Sequence, residues 1–152
     1  MRSLIASTIA LCLALAGCGG GTAQPQQASV RDAWISLPAV PGRPGAAYFT
    51  MVGGKTHERL TSIDSAAVDK VELHASMSHG GMAGMRPLGE VAVPAGAAVA
   101  FAPGGNHAML FGIDPAIRPG QRISLLFRFN SERSIPVEAE VRAPGDVPPA
   151  AR

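Results

Sequence analysis

Histidine and methionine side chains are concentrated in one part of this 152-residue chain. The sequence contains four histidines and six methionines, the initiator included, and seven of these ten residues lie between positions 74 and 109. Thioether sulfur is a soft, neutral ligand and imidazole is a borderline one, so a set of both without cysteine or carboxylate favours Cu(I). Zinc sites normally recruit Cys, His or carboxylate, and calcium and magnesium sites are built from oxygens. The cluster therefore predicts a site for a soft metal ion.

Four members of the cluster follow a spacing that can be written H-x10-M-x21-H-x-M. They are the candidate metal ligands His74, Met85, His107 and Met109. His107 and Met109 are two residues apart in a predicted strand, so their side chains point to the same face. The turn PGGN at residues 103–106 precedes this pair and places it at the strand's end, near a rim where loops gather.

The segment SMSHGGMAG at residues 76–84 contains the other members of the cluster. It has neither the alternation nor the β-branched residues of a strand, so we expect it to be a loop. Methionine on a loop has no core to fill. Another role is therefore needed to explain Met77 and Met82, and His79 lies between them. Met51 lies in an apolar strand, where core filling is the expected role.

Short apolar or alternating runs, separated by Pro and Gly, make up the rest of the chain and show no helical period. Nine candidate strands at a spacing of roughly 8 to 12 residues predict an all-β sandwich or barrel. They cover residues 30–36, 46–52, 60–65, 68–75, 86–93, 97–102, 107–113, 121–128 and 135–141. Turn sequences such as Pro94-Ala95-Gly96 and Arg118-Pro119-Gly120 lie between them, which agrees with this class.

The first eighteen residues are typical of a secretory signal, with Arg2 before an apolar run and small residues at the end. The run is shorter than the roughly 20 residues that a transmembrane helix needs. Leu15-Ala16-Gly17-Cys18 resembles a bacterial lipobox, which predicts lipidation of Cys18; the alternative is an ordinary signal in which Cys18 is incidental. Residues 1–18 are thus a predicted lipoprotein signal, 19–29 a flexible tether, 30–142 the folded domain and 143–152 a disordered tail.

Composition excludes several classes of function. Cys12 lies in the signal and lipidation consumes Cys18, so the mature domain is expected to lack thiols, which disfavours thiol catalysis, iron-sulfur clusters and blue-copper sites. Without Arg2, twelve basic residues face eleven acidic ones, all scattered, so no nucleic-acid partner is expected. Glu72 and Glu90, the carboxylates near the cluster, are interpreted as surface residues in strands.

Several segments closely resemble the PCu(A)C family of periplasmic copper chaperones, whose shared motif has the H-x10-M-x21-H-x-M form. Further matching stretches are VELHASM around His74, Met85-Arg86, VPAG at 93–96 and APGGNHAMLFGI at 102–113, with DAWIS at 32–36 and AAYFTM at 46–51. The resemblance covers residues 30–141. It implies a cupredoxin-like Greek-key β-sandwich or barrel of about eight or nine strands that binds one Cu(I) through the two histidines and two methionines.

The resemblance also implies a function in copper handling outside the cytoplasm. The family is associated with delivery to the CuA centre of cytochrome c oxidase, sometimes together with Sco-type proteins. We therefore expect a monomeric, non-enzymatic Cu(I) chaperone, lipid-anchored on the periplasmic side of a bacterial cell envelope; Gly19 after the lipobox favours the outer membrane. Copper storage or buffering by the same ligands is the alternative.

Three interpretations of Met77, His79 and Met82 remain open at this point. They could hold a second or transient copper ion, replace a primary ligand, or have no metal role. The family often carries a histidine- and methionine-rich C-terminal extension, and this chain ends in VPPAAR without one. An enzyme is disfavoured because Ser76 and Ser78 lie near histidines but outside any G-x-S-x-G elbow.

Overall fold

The computed structural model describes residues 26–79 and 82–146. The predicted signal with Cys18, most of the predicted tether and residues 147–152 lie outside this part of the chain. Ten strands and no helix are present in the described residues. They are β1 (Ser29–Ser36), β2 (Gly45–Val52), β3 (Glu58–Asp64), β4 (Val68–His79), β5 (Met82–Leu88), β6 (Val91–Val93), β7 (Ala98–Phe101), β8 (Asn106–Ile113), β9 (Arg122–Phe129) and β10 (Ser134–Arg142).

All ten strands belong to one sheet, whose order is β5-β4-β8-β2-β1-β10-β9-β3-β6, with β7 also paired to β2. The pairing of β1 with β10 is parallel and the other pairings are antiparallel. Because β3 also contacts β4, the sheet curls into a nearly closed barrel. The predicted all-β class is confirmed, with ten strands instead of eight or nine.

The core lies inside the curled sheet and follows the alternation of its strands. Along β2 every second residue is buried, from Gly45 through Ala47 and Phe49 to Met51. Phe49 stacks on Phe101 with ring centroids 4.4 Å apart and meets the edge of Phe127 at 4.7 Å. Met51 has no exposed surface, so its predicted core role is confirmed.

Two local predictions were wrong. Residues 76–79 and 82–84 belong to strands and not to a loop, because β4 continues to His79 and β5 begins at Met82, and these two residues are backbone partners. Strand formation depends strongly on pairing with neighbours, and β4 has the paired strands β5 and β8 on either side. The predicted strand 86–93 is instead divided into β5 and β6 by a bend at residues 89–90, so Glu90 lies in the bend and not in a strand.

A buried ion pair between Glu58 and Arg133 connects the start of the domain to the β9–β10 hairpin. The Glu58 side chain is only 6% exposed and receives hydrogen bonds from Arg133 Nη1 at 3.2 and 3.3 Å and from Ser131 Oγ at 2.6 Å. Arg133 Nη2 also donates to the carbonyl oxygen of Ala28 at 2.7 Å, just before β1. The pair therefore joins three segments that are distant in sequence.

Among the described residues, none forms a helix of the length and apolar character needed to cross a membrane.

Candidate metal centre

The strand pairing puts all four candidate ligands on one face of the sheet. His74 of β4 is the direct backbone partner of His107 of β8. Two residues away on each strand, Glu72 is the partner of Met109. On the other side of β4, Ser76 is the partner of Met85 in β5. Direct cross-strand partners share a face, and the neighbouring positions Leu73 and Ala108 are buried in the core. His74, Met85, His107 and Met109 therefore lie on the outer face of the barrel wall.

His107 is held in a defined orientation by the turn that precedes β8. Its ring is almost completely buried, and its Nδ1 lies 3.1 Å from the carbonyl oxygen of Gly105. A carbonyl oxygen only accepts hydrogen bonds, so Nδ1 carries the proton and Nε2 is the unprotonated nitrogen of the neutral ring. The same Gly105 oxygen accepts a hydrogen bond from the Ser76 backbone, which ties the turn to β4. The PGGN sequence thus positions the imidazole as well as ending the preceding strand.

His74 has the opposite arrangement of ring nitrogens. Its Nε2 lies 3.0 Å from Oε2 of Glu72, whose other oxygen, Oε1, is 2.5 Å from Lys70 Nζ. The hydrogen bond from Lys70, and then that from His74, holds the pKa of the Glu72 carboxyl below its usual value. An ionised carboxylate only accepts, so Nε2 of His74 donates and Nδ1 is unprotonated in the neutral ring. That Nδ1 is buried and has no hydrogen-bond partner among the described residues.

The two imidazoles are close enough to share one ion. Their ring centroids are 6.0 Å apart and their planes differ by 29°. With metal–nitrogen bonds of about 2 Å, two rings on one ion have centroids roughly 5 to 6 Å apart. The separation of the two rings is therefore compatible with one shared ion.

Both candidate methionines and His107 line one cleft of about 350 Å³. Its walls include Met85, His107 and Met109, together with Tyr48 and Ser76. Met85 is 59% exposed, so this candidate ligand lies at the open side of the cleft. Burial raises the pKa of the Tyr48 hydroxyl. His74 lines a different cavity, together with Glu72, and not the cleft itself.

Met77 is on the other face of the β4–β5 hairpin. Its partner is Gly84, one position along from the Ser76–Met85 pair, and successive positions of a strand face opposite sides. Its side chain is 48% exposed. The side chains of the other two candidate secondary ligands, His79 and Met82, lie outside what the structure describes.

Sequence reasoning missed the part that Lys70 and Glu72 play at this site. Lys70, Glu72 and His74 occupy alternate positions of β4 and so share one face. The K-x-E-x-H spacing in a strand is the signal that could have identified them. In the described part of the chain, no cluster of three or more His, Cys, Asp and Glu side chains could hold a metal ion.

Comparisons with known proteins agree with this fold. Residues 28–141 match the LpqE-like family model, described as "Putative lipoprotein LpqE-like". The chain is 30% identical over 151 residues to "Putative lipoprotein Lxx21020" of Leifsonia xyli subsp. xyli (strain CTCB07), spanning 93% of this chain and 90% of that protein.

Two solved copper-bound structures share the architecture. The copper-bound PCuAC domain from PmoF2 superposes with a TM-score of 0.65 at 21% identity, over 78% of this chain and 94% of that domain. The solution structure of CuI-DR1885 from Deinococcus radiodurans gives 0.58 at 24% identity, over 84% and 83%. The PCuAC-like fold predicted from the sequence motifs is therefore confirmed.

Proposed function

The chain belongs to the LpqE-like lipoprotein family, and from this premise we propose that it is an extracytoplasmic copper chaperone. It holds one Cu(I) through His74, Met85, His107 and Met109 and passes the ion on by ligand exchange. One observation carries the proposal: two adjacent imidazoles, each with one ring nitrogen engaged by an acceptor oxygen, lie beside two thioethers on the same face. The copper-bound state of similarly folded domains supports the choice of metal.

The four proposed ligands are neutral, which suits a soft monovalent ion. Imidazole and thioether together favour Cu(I), whereas magnesium and calcium prefer carboxylates and other oxygens. Glu72 is the carboxylate beside the site, and both of its oxygens are engaged by Lys70 and His74. Selectivity therefore comes from the donor atoms and not from net charge.

Release of the ion is proposed to begin at the exposed ligand. Met85 is 59% exposed, whereas His107 is 7% exposed. A thiolate of an acceptor protein can approach the ion from the Met85 side and displace that thioether before the buried histidine is lost. Thiolates bind Cu(I) more strongly than thioethers do. The CuA domain of cytochrome c oxidase and Sco-type proteins are the proposed acceptors.

Lipid anchoring is proposed from the lipobox at Cys18 together with the lipoprotein names of the family and its relative. Anchoring would keep the copper site on the periplasmic side of a membrane. The preference for the outer membrane, drawn from Gly19, stays a prediction.

A transfer assay tests the function. The Cu(I)-loaded chain is mixed with an apo CuA domain under anaerobic conditions, the two proteins are separated, and copper is measured in each. We expect copper to leave the chain for the acceptor faster than it leaves for buffer alone. Retention of copper by the chain would favour storage or buffering, and a chain that takes up no Cu(I) would refute both.

Met85→Ala and Met77→Ala form a matched pair that tests the ligand assignment. Both methionines are about half exposed and belong to the same hairpin, but they lie on opposite faces. We expect Met85→Ala to weaken Cu(I) binding about tenfold or more and Met77→Ala to leave it unchanged, because of these two residues Met85 is the one on the face of the two histidines. Titration of Cu(I) against a chromophoric chelator measures both. A larger loss for Met77→Ala would mean that Met77 replaces a primary ligand.

A further inference from the structure

We propose that Glu72 is a positioning residue for copper binding, which sets the nitrogen through which His74 reaches the ion. By accepting the Nε2 proton of His74, Glu72 leaves Nδ1 as the metal-binding nitrogen, whereas His107 binds through Nε2. The two histidines would therefore use different ring nitrogens. This inference rests on the proposed copper function and adds to it a residue outside the four-ligand motif.

The hydrogen bonds around Glu72 fix its orientation. Oε2 is 3.0 Å from His74 Nε2, and Oε1 is 2.5 Å from Lys70 Nζ. Lys70, Glu72 and His74 are alternate residues of one strand, so the three side chains form a row on the outer face. With Lys70 holding one oxygen, the other remains directed at the imidazole.

The opposite nitrogen of His74 has the properties of a ligand. Nδ1 is buried and has no hydrogen-bond partner among the described residues, although buried polar atoms are nearly always paired. The adjacent ring, His107, has its centroid 6.0 Å away. Histidines that bind metals commonly donate their second N–H to a carboxylate, which fixes the tautomer and the direction of the ring. Glu72 supplies such a carboxylate, and a bound ion would give Nδ1 the partner it lacks.

Glu72 is not itself placed to bind the ion. Its side chain lines a cavity separate from the cleft, together with His74, Pro87 and Leu88. Met85, His107 and Met109 line the cleft, and Glu72 is not among the residues that line it. The carboxylate therefore acts on copper through the imidazole and not by direct coordination.

Substitution of Glu72 tests the role by affinity. We expect Glu72→Ala to weaken Cu(I) binding about 10- to 100-fold, as is typical for the loss of an outer partner of a metal-binding histidine. Glu72→Gln should recover most of this loss, because the amide oxygen still accepts from Nε2. Glu140→Ala is the matched control: Glu140 is similarly exposed and pairs with Arg142 two residues along β10, at 3.0 Å. This control should bind Cu(I) like the wild type.

Imidazole ¹⁵N NMR provides a readout that simple destabilisation would not change. In the apo wild type we expect the proton of His74 on Nε2 and that of His107 on Nδ1, and Cu(I) should shift the resonances of His74 Nδ1 and His107 Nε2. In Glu72→Ala, His74 should populate both tautomers. A copper-induced shift at His74 Nε2, or wild-type affinity in Glu72→Ala, would overturn the positioning role. If the wild type takes up no Cu(I), the proposed function itself fails. If the wild type binds Cu(I) and Glu72→Ala binds it equally well, only the positioning role fails.

Discussion

His107→Ala is expected to lower the affinity of the chain for Cu(I) by more than about a hundredfold, since loss of an outer partner alone typically costs 10- to 100-fold. The ring of His107 is almost fully buried and its Nδ1 is fixed by the Gly105 carbonyl, so Nε2 is presented without prior reorganisation. Among the described histidines, it is the one that lines the cleft together with Met85 and Met109. Removal of this ring leaves only the two thioethers on the cleft side of the site.

The size of the loss should follow how firmly each ligand is held. Met85 is 59% exposed and has a flexible side chain, so Met85→Ala should cost less than His107→Ala. His57→Ala is the histidine control: that side chain is exposed and accepts a hydrogen bond from the Ala95 backbone at 3.4 Å, away from β4 and β8. Competition with a chelator measures all three affinities. Equal losses for His107→Ala and Met85→Ala would contradict the proposed hierarchy, and a loss for His57→Ala would contradict the site.

X-ray absorption on the Cu(I) form provides an independent count of ligands. Two nitrogen and two sulfur neighbours are expected for the wild type, and one nitrogen fewer for His107→Ala. A third sulfur neighbour in the wild type would indicate that Met77 or Met82 also coordinates the ion.

The strands could be predicted from the sequence where side chains alternate along a half-buried sheet. The alternation of β2, from Gly45 to Val52, is visible in the residues themselves, because one face of that strand packs on the core. The end of β4 lacks this signal, since Ser76 to His79 carry no inward apolar series. Its extension depends on pairing with β5, which is a property of the neighbouring strand.

The candidate ligands could be predicted by residue type and spacing, but their faces could not. If the β4–β5 register were shifted by one residue, Met77 would lie on the face of the cleft and its neighbour Ser76 on the other face. The register places Ser76 opposite Met85, which separates Met77 from the proposed ligands. The role of Glu72 depends on a side-chain hydrogen bond and on a ring tautomer, and neither is encoded in spacing alone.

The buried ion pair of Glu58 and Arg133 leads to the largest expected change in stability. Arg133→Ala should lower the free energy of unfolding by about 3 to 5 kcal/mol, because it leaves the Glu58 carboxylate buried without its counter-charge. The substitution also removes the hydrogen bond to Ala28 and the contact between the guanidinium and the Phe129 ring at 5.8 Å. Urea unfolding followed by circular dichroism measures the change.

Arg128→Ala is the matched control, because Arg128 and Asp64 form an ion pair in which both side chains are about half exposed. Exposed pairs contribute about 0 to 1 kcal/mol, so this variant should be nearly as stable as the wild type. Adding Glu58→Gln to Arg133→Ala should recover part of the loss, because a neutral amide costs less to bury than an unpaired carboxylate. Equal losses for the two arginine variants would show that burial of the pair is unimportant. Glu58 lies on β3 and Arg133 lies between β9 and β10, whereas the proposed ligands lie on β4, β5 and β8. Arg133→Ala protein that is still folded should therefore bind Cu(I) with wild-type affinity. This result would separate the stability of the barrel from copper binding.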